Sequence, residues 1–175
     1  RDLPRIRHSP EFWRCRLNGV ELPLRGTNYI SELHPERIGD PERDVALLRE
    51  ANCNFVRVHG HVEPPEFYRA CARAGLLVMQ DLPLQWGYAP SARAAAARAT
   101  RAVVEALRDE PALALWNVHN EPMPWDFFLL DRMLVSLVRR LDPGRAVIAG
   151  TAYPGVTMHC YAGWYFGRVS DFRFT

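Results

Sequence analysis

Lysine is missing from this chain altogether: all 22 basic residues are arginine, set against 20 acidic ones, for a formal charge of +2. The arginines are scattered and form no basic block interleaved with aromatics, so a nucleic-acid partner is not expected and a solvated arginine-rich surface is. No apolar run reaches the roughly 18 residues of a membrane span. No charged segment followed by an apolar one opens the chain, so a membrane partner is not expected and the cytoplasm is the favoured compartment. Cys15, Cys53, Cys71 and Cys160 have no paired short spacing. They fit neither a small disulfide scaffold nor a cysteine-based zinc site, and they are expected as reduced, mostly packed thiols. No glycine-rich fingerprint follows the first strand, and no cofactor is expected.

What is present reads as an ordinary globular composition, 175 residues of which 48% are hydrophobic, enough for one sizeable core. Arg1 in place of Met, and an end at Phe174-Thr175 without a closing element, read as a segment of something longer. Phe12 to Leu24 has two short β-prone arms around Asn18-Gly19, the pair that best tolerates a tight hairpin turn. Leu24 to Tyr29 is a first long strand with Asn28 near its end. Asp40-Pro41 then opens a helix with Val45, Leu48 and Ala51 at helical spacing. The unit repeats: strand Asn54 to His59, a helix opened by Pro64-Pro65 and closed by Gly75, strand Leu76 to Asp81, and a long Ala/Arg helix capped by Ser91.

The fourth strand, Ala112 to Pro122 (ALALWNVHNEP), is an apolar run that stops at a His-Asn-Glu-Pro corner. Alternation puts Leu113, Leu115, Asn117, His119 and Glu121 on one face, with Ala114, Trp116, Val118 and Asn120 on the other. Pro122 denies the ladder a donor and ends the strand. A helix carrying Phe127, Leu130, Leu134, Leu137 and Leu141 follows and is stopped by Asp142-Pro143-Gly144. Ala146 to Ala149 and Val156 to Tyr161 complete the series as fifth and sixth strands.

Strands alternating with helices over short connections imply parallel pairing. The polar residues at the strand ends, Asn28, Arg57, His59, Asp81, Asn120, Glu121, His159 and Tyr161, are what a (β/α) barrel places at its working face. The expected fold class is therefore α/β, an incomplete (β/α)8 barrel of about six strands preceded by a short β-hairpin. Residues 1–175 form a single partial barrel domain, with an opening segment and hairpin over 1–21 and barrel strands one to six over 22–175. The connection between the fifth and sixth strands is too short for a full helix.

An Asn-Glu pair ending a barrel strand suits glycoside cleavage, in which a carboxylic acid protonates a poor leaving group and the neighbouring amide bonds a sugar hydroxyl. The plain alternative is a solvated strand-end charge. Trp86, Trp125, Trp164 and Tyr165 in the loops are suited to stacking on sugar rings or to simple packing. His59 and His61 share a strand face and, with His119 and His159, form a second possibility, a metal-dependent barrel hydrolase. Against it stands the absence of any lysine to bridge the metals.

The order of LNGVELPLRGTNY, NFVRVHG, FYRACARAGLLVMQDLP, LALWNVHNEP and HCYAGWY resembles the catalytic barrel of the family 2 glycoside hydrolases, the β-galactosidase, β-glucuronidase and β-mannosidase group. Met79 to Pro83 is similar to the β-mannosidase branch and His159 to Tyr165 to glucuronidase-like members, so the sugar stays open. The resemblance implies a retaining, exo-acting β-glycosidase with a carbohydrate substrate and no metal. It implies Glu121 as general acid/base, Asn120 as the group holding the sugar 2-hydroxyl, and Arg57 and Tyr161 as contacts of the nucleophile. Asn28, His59, Asp81, Trp116, His159 and Trp164 are then expected to bind substrate. The nucleophile, a Glu on the seventh strand, has no match here, because no Glu occurs after Glu121. The remaining strands and the flanking β-sandwich domains of a full-length protein are the expected partners. A non-catalytic carbohydrate-binding barrel fragment is the alternative.

Overall fold

The structure, a computed structural model, describes residues 5–8, 13–30 and 40–151. Asn18 (φ 51°) and Gly19 (φ 81°) turn the chain between β2 (Trp13–Leu17) and β3 (Val20–Leu22). Two successive positive φ angles are what a two-residue hairpin with native strand twist demands, and Asn-Gly meets the demand at little steric cost. β1 (Arg5–His8), not among the expected strands, pairs antiparallel with the other edge of β2. The hairpin thus belongs to a three-stranded sheet ordered β1-β2-β3.

The main sheet is parallel and follows chain order: β4 (Gly26–Tyr29), β5 (Phe55–Val58), β6 (Leu77–Asp81), β7 (Leu113–Asn117) and β8 (Ala146–Ile148). Helices α1 (Pro41–Glu50), α2 (Pro65–Ala74), α3 (Arg93–Leu107) and α5 (Arg132–Leu141) lie between successive strands. This is the wall of a (β/α) barrel. Among the described residues it is open, with β4 and β8 at its edges. The expected sixth strand, 156–161, lies outside the described residues.

Local signals account for most helix ends. Asp40 Oδ1 accepts from the Glu42 N–H at 3.0 Å and Pro41 occupies the first turn of α1, satisfying a donor the helix cannot pair itself. Pro65 opens α2, and the N–H of the left-handed Gly75 returns to its last turn. Ser91 does not cap α3. It lies inside a 3-10 turn (Pro90–Ala92), and the cap position falls to Ala92, which makes no side-chain bond. After β7 a short α4 (Pro124–Asp126) runs through a π-helical turn (Phe127–Asp131) into α5.

Two apolar layers flank the main sheet. The outer one packs Val56, Val58, Val78, Trp116 and Val118 against Phe67, Cys71, Val104, Leu134 and Val138 of the helices. The inner one gathers Leu77, Met79, Leu115 and Ile148 with Cys15, Leu22 and Leu24 of the hairpin segment. Alternate residues of β5 and β6 feed opposite layers, as the pleat requires, whereas in β7 a register shift against Val78/Met79 puts the neighbours Ala114 and Leu115 in the same inner layer. The hairpin segment therefore packs on the same apolar interior as the strands. The interior near the C-terminal strand ends is polar instead.

Candidate active site

That polar end is built by register. Asn28 stands beside Arg57, and Asp81, the last residue of β6, stands beside Asn117, the last of β7. The Arg57 guanidinium grips the Asp81 carboxylate, with Nε 3.0 and 3.1 Å from its two oxygens and Nη2 2.7 Å from Oδ2. Asn117 Nδ2 at 2.8 Å and the Gly60 N–H at 3.2 Å donate to the same carboxylate. Gly60 has φ 72°, a backbone state that glycine reaches without a Cβ penalty. Asp81 is fully buried and its acceptor capacity is taken up by these donors. Its carboxylate holds Arg57.

Arg57 Nη2 also donates to Asn120 Oδ1 at 2.7 Å. A guanidinium only donates, so the amide atom facing it is the oxygen. Asn120 Nδ2 is then the branch of the amide turned away from the guanidinium. Thr151, three residues past β8, bonds in the same place, its Oγ1 3.0 Å from Asn120 Oδ1.

β7 ends at Asn117, and the two-residue alternation ends with it. Val118 joins the layer under the helices, and the next residue turns the same way: His119 is fully buried, Nδ1 2.8 Å from Asp131 Oδ1, its ring 5.5 Å from that of Tyr88. Two neighbours facing alike reset the phase, which returns Asn120 to the side of Asn117 and Arg57. The expected grouping of His119 with Asn117 and Glu121, opposite Asn120, is corrected accordingly. Glu121 is half-buried with φ 48°, and its N–H donates to Thr151 Oγ1 at 3.0 Å. A left-handed non-glycine residue costs on the order of 1–3 kcal/mol, and such residues cluster at active sites.

Trp116, expected at the substrate, has a partner of its own. It is fully buried on the helix side of β7, its indole Nε1 donating to Asp142 Oδ2 at 2.9 Å. Arg145 completes that anchor, bonding the same Asp142 oxygen at 2.6 Å and the Leu113 carbonyl at 2.8 Å. Asn28 is exposed and His59 half-buried, one residue beyond β5. Tyr161, His159 and Trp164 lie outside the described residues. Of the loop aromatics, Trp86 and Trp125 are each 60% exposed. Trp125 lines a groove of about 360 Å³ with Tyr88, Arg93 and Leu129.

Both ring nitrogens of His61 have partners within the chain: its Nδ1 lies 3.0 Å from the His59 carbonyl and its Nε2 bonds the Glu63 carboxylate. The bond to Glu63 holds its pKa above the ordinary imidazole value; burial opposes this, while the His59 carbonyl and the charges of Glu63 and Asp81 reinforce it. Among the described residues no three His, Cys, Asp or Glu side chains are grouped to hold a metal ion.

Sequence reasoning passed over Gln80 and Thr151. Gln80, fully buried in β6, accepts from the Tyr68 hydroxyl at 2.6 Å and donates to the His61 and Asp81 carbonyls, each at 2.6 Å. A glutamine inside an apolar strand was its sign. Thr151 has no local sign beyond its place just after a strand.

The family model described as "Glycosyl hydrolases family 2, TIM barrel domain" matches residues 36–169. A protein named as a β-glucuronidase from Formosa agariphila is 26% identical over 186 residues, covering 90% of this chain and 22% of its own length. β-Galactosidase 2 of Enterobacter cloacae is 32% identical over 121 residues, covering 61% of this chain and 12% of itself. Among solved structures, Bacteroides uniformis β-glucuronidase 3 superposes with a TM-score of 0.75 at 24% identity, over 93% of this chain and 23% of that one. A β-D-mannosidase from Dictyoglomus thermophilum does so with a TM-score of 0.67 at 20% identity, over 85% of this chain and 21% of that one. The chain thus spans about a fifth or less of the length of these curated relatives.

Proposed function

Because the chain belongs to glycosyl hydrolase family 2, as part of its TIM barrel domain, we propose that it supplies the acid/base half of a β-glycosidase active site. In this reading Glu121 protonates the departing glycosidic oxygen and then deprotonates the attacking water. Asn120 Nδ2 bonds the hydroxyl next to the anomeric carbon. Arg57, held by Asp81, orients the Asn120 amide and presents positive charge to the reaction centre. The observation that carries the reading is the Arg57 Nη2 to Asn120 Oδ1 bond of 2.7 Å. It ties the residue before Glu121 to the buried Arg57–Asp81 pair.

Retention through a glycosyl-enzyme intermediate needs a second carboxylate about 5 to 5.5 Å from the first. With no Glu after Glu121, that nucleophile comes from a part of the protein beyond these residues. The small share of the relatives' length that the chain spans supports this division. The sugar is glucuronic acid, galactose or mannose, the three that the relatives' names carry.

The test is to assay the parent protein that carries this chain, alongside the 175-residue chain itself, on aryl β-glucuronide, β-galactoside and β-mannoside. Turnover by the parent alone, abolished on unactivated substrates by Glu121→Gln while activated aryl glycosides still react, is expected. An unimpaired Glu121→Gln enzyme on unactivated substrate overturns the assignment. Saturable sugar binding by the parent without any turnover would mark a binding module instead.

A further inference from the structure

We infer that Thr151 is a positioning residue for the Asn120–Glu121 pair, orienting the amide of one and the backbone of the other; this rests on the acid/base reading of Glu121 above. Thr151 touches three consecutive residues of the β7 corner. Its N–H donates to the His119 carbonyl at 3.0 Å, its Oγ1 lies 3.0 Å from Asn120 Oδ1, and its Oγ1 accepts from the Glu121 N–H at 3.0 Å.

The direction of each bond follows from what the groups can do. A backbone N–H only donates, so the Thr151 oxygen is the acceptor toward Glu121, and its single proton is free to go to Asn120 Oδ1. That oxygen then lies between two donors, the Thr151 hydroxyl and Arg57 Nη2. Flipping the amide would set its NH2 against the guanidinium, so the orientation with Nδ2 turned away from Arg57 is locked. The second bond acts on Glu121, whose left-handed φ of 48° is a conformation that needs outside support. Thr151 is buried, at 3% exposure, so no water takes its place without opening the corner.

A β-branched residue fits this task. Threonine has few χ1 states, so its hydroxyl is held toward both partners by sterics as well as by bonds. Serine keeps the bonds with a freer rotor, and valine keeps the shape without them. Because a rotated Glu121 protonates the leaving oxygen from the wrong direction, a loss of positioning shows most where protonation matters most.

The experiment uses the parent protein and the dinitrophenyl and phenyl β-glycosides of whichever sugar it hydrolyses. The ratio of kcat/KM on the two substrates, which reports the step that breaks the glycosidic bond and not the later attack of water, is read from one preparation, which cancels the fraction of folded enzyme. Thr151→Val should lower kcat/KM on the phenyl glycoside roughly ten- to a hundredfold while kcat/KM on the dinitrophenyl glycoside changes far less, and Thr151→Ser should restore most of the loss. Thr151→Ala is read in the same assay should the valine variant not fold. An equal fall on both substrates, or none on either, overturns the inference. Glu121→Gln, run in parallel, separates the two claims: if it leaves the phenyl glycoside turning over normally, the site reading itself has failed.

Discussion

Arg57 and Asp81 face one another across neighbouring strands, Nη2 2.7 Å from Oδ2 and Nε bonded to both carboxylate oxygens. The arginine side chain is 11% exposed and the aspartate not at all. Buried ion pairs add little net stability when intact, but removing one partner strands the other charge. Asp81 is therefore a support for Arg57, and through Arg57 for Asn120.

Asp81→Asn keeps the shape and reverses the chemistry, since an amide NH2 would then face donors. In the parent protein kcat/KM should fall by roughly a hundredfold, the scale at which misplaced groups cost activity. Steady-state kinetics beside a melting curve checks this; unchanged kinetics would remove Asp81 from the supporting role.

The second buried pair, Asp142 with Arg145, is far from any chemistry proposed here. Both are 7% exposed, and Asp142 Oδ2 accepts from Arg145 and from the Trp116 indole. Arg145→Met should destabilise by about 3 to 5 kcal/mol, seen as a lower urea midpoint. Substrate affinity per folded molecule should stay as in the wild type.

His61 supplies a pH dependence whose sign is fixed by geometry. Its folded-state pKa is raised above 6.5, first by the bond to Glu63. The folded state thus holds the proton more tightly than the unfolded one. The stabilisation is complete below the unfolded pKa and disappears as pH rises through the folded one. Melting temperatures of wild type and His61→Asn, measured between about pH 5.5 and about pH 9, should differ most at the acid end and converge at the alkaline end. A difference independent of pH would disprove the linkage.

Thiol reactivity should separate Cys53 from Cys71. Burial pushes the Cys71 thiol up to about 12, and its side chain is fully enclosed, so little reactive thiolate forms at neutral pH. Cys53 is only half-buried. Native alkylation followed by peptide mass spectrometry should label Cys53 while Cys71 reacts only on unfolding.

The features that were legible in the sequence depend on neighbours a few residues apart. Asn18-Gly19 prescribes its own turn, Asp40-Pro41 its helix start, and Gly75 its helix end, because each acts on backbone within one turn of itself. The alternation of strands and helices did the same for the parallel sheet, since short connections leave few other ways to pair. Periodicity failed where long-range partners intervened. His119 leaves the face that alternation assigned to it because Asp131, twelve residues on, offers a buried acceptor, and Trp116, placed at the pocket by the family resemblance alone, has its indole held by Asp142. Thr151 meets Asn120 and Glu121 across about 30 residues of chain. No local pattern encodes such a contact; the packing of β8 beside β7 creates it. The types of the chemical groups were thus written in the sequence, while their facing, their orientation and the residues that hold them were decided by tertiary structure, because hydrogen bonds between distant segments exist only once the sheet has formed.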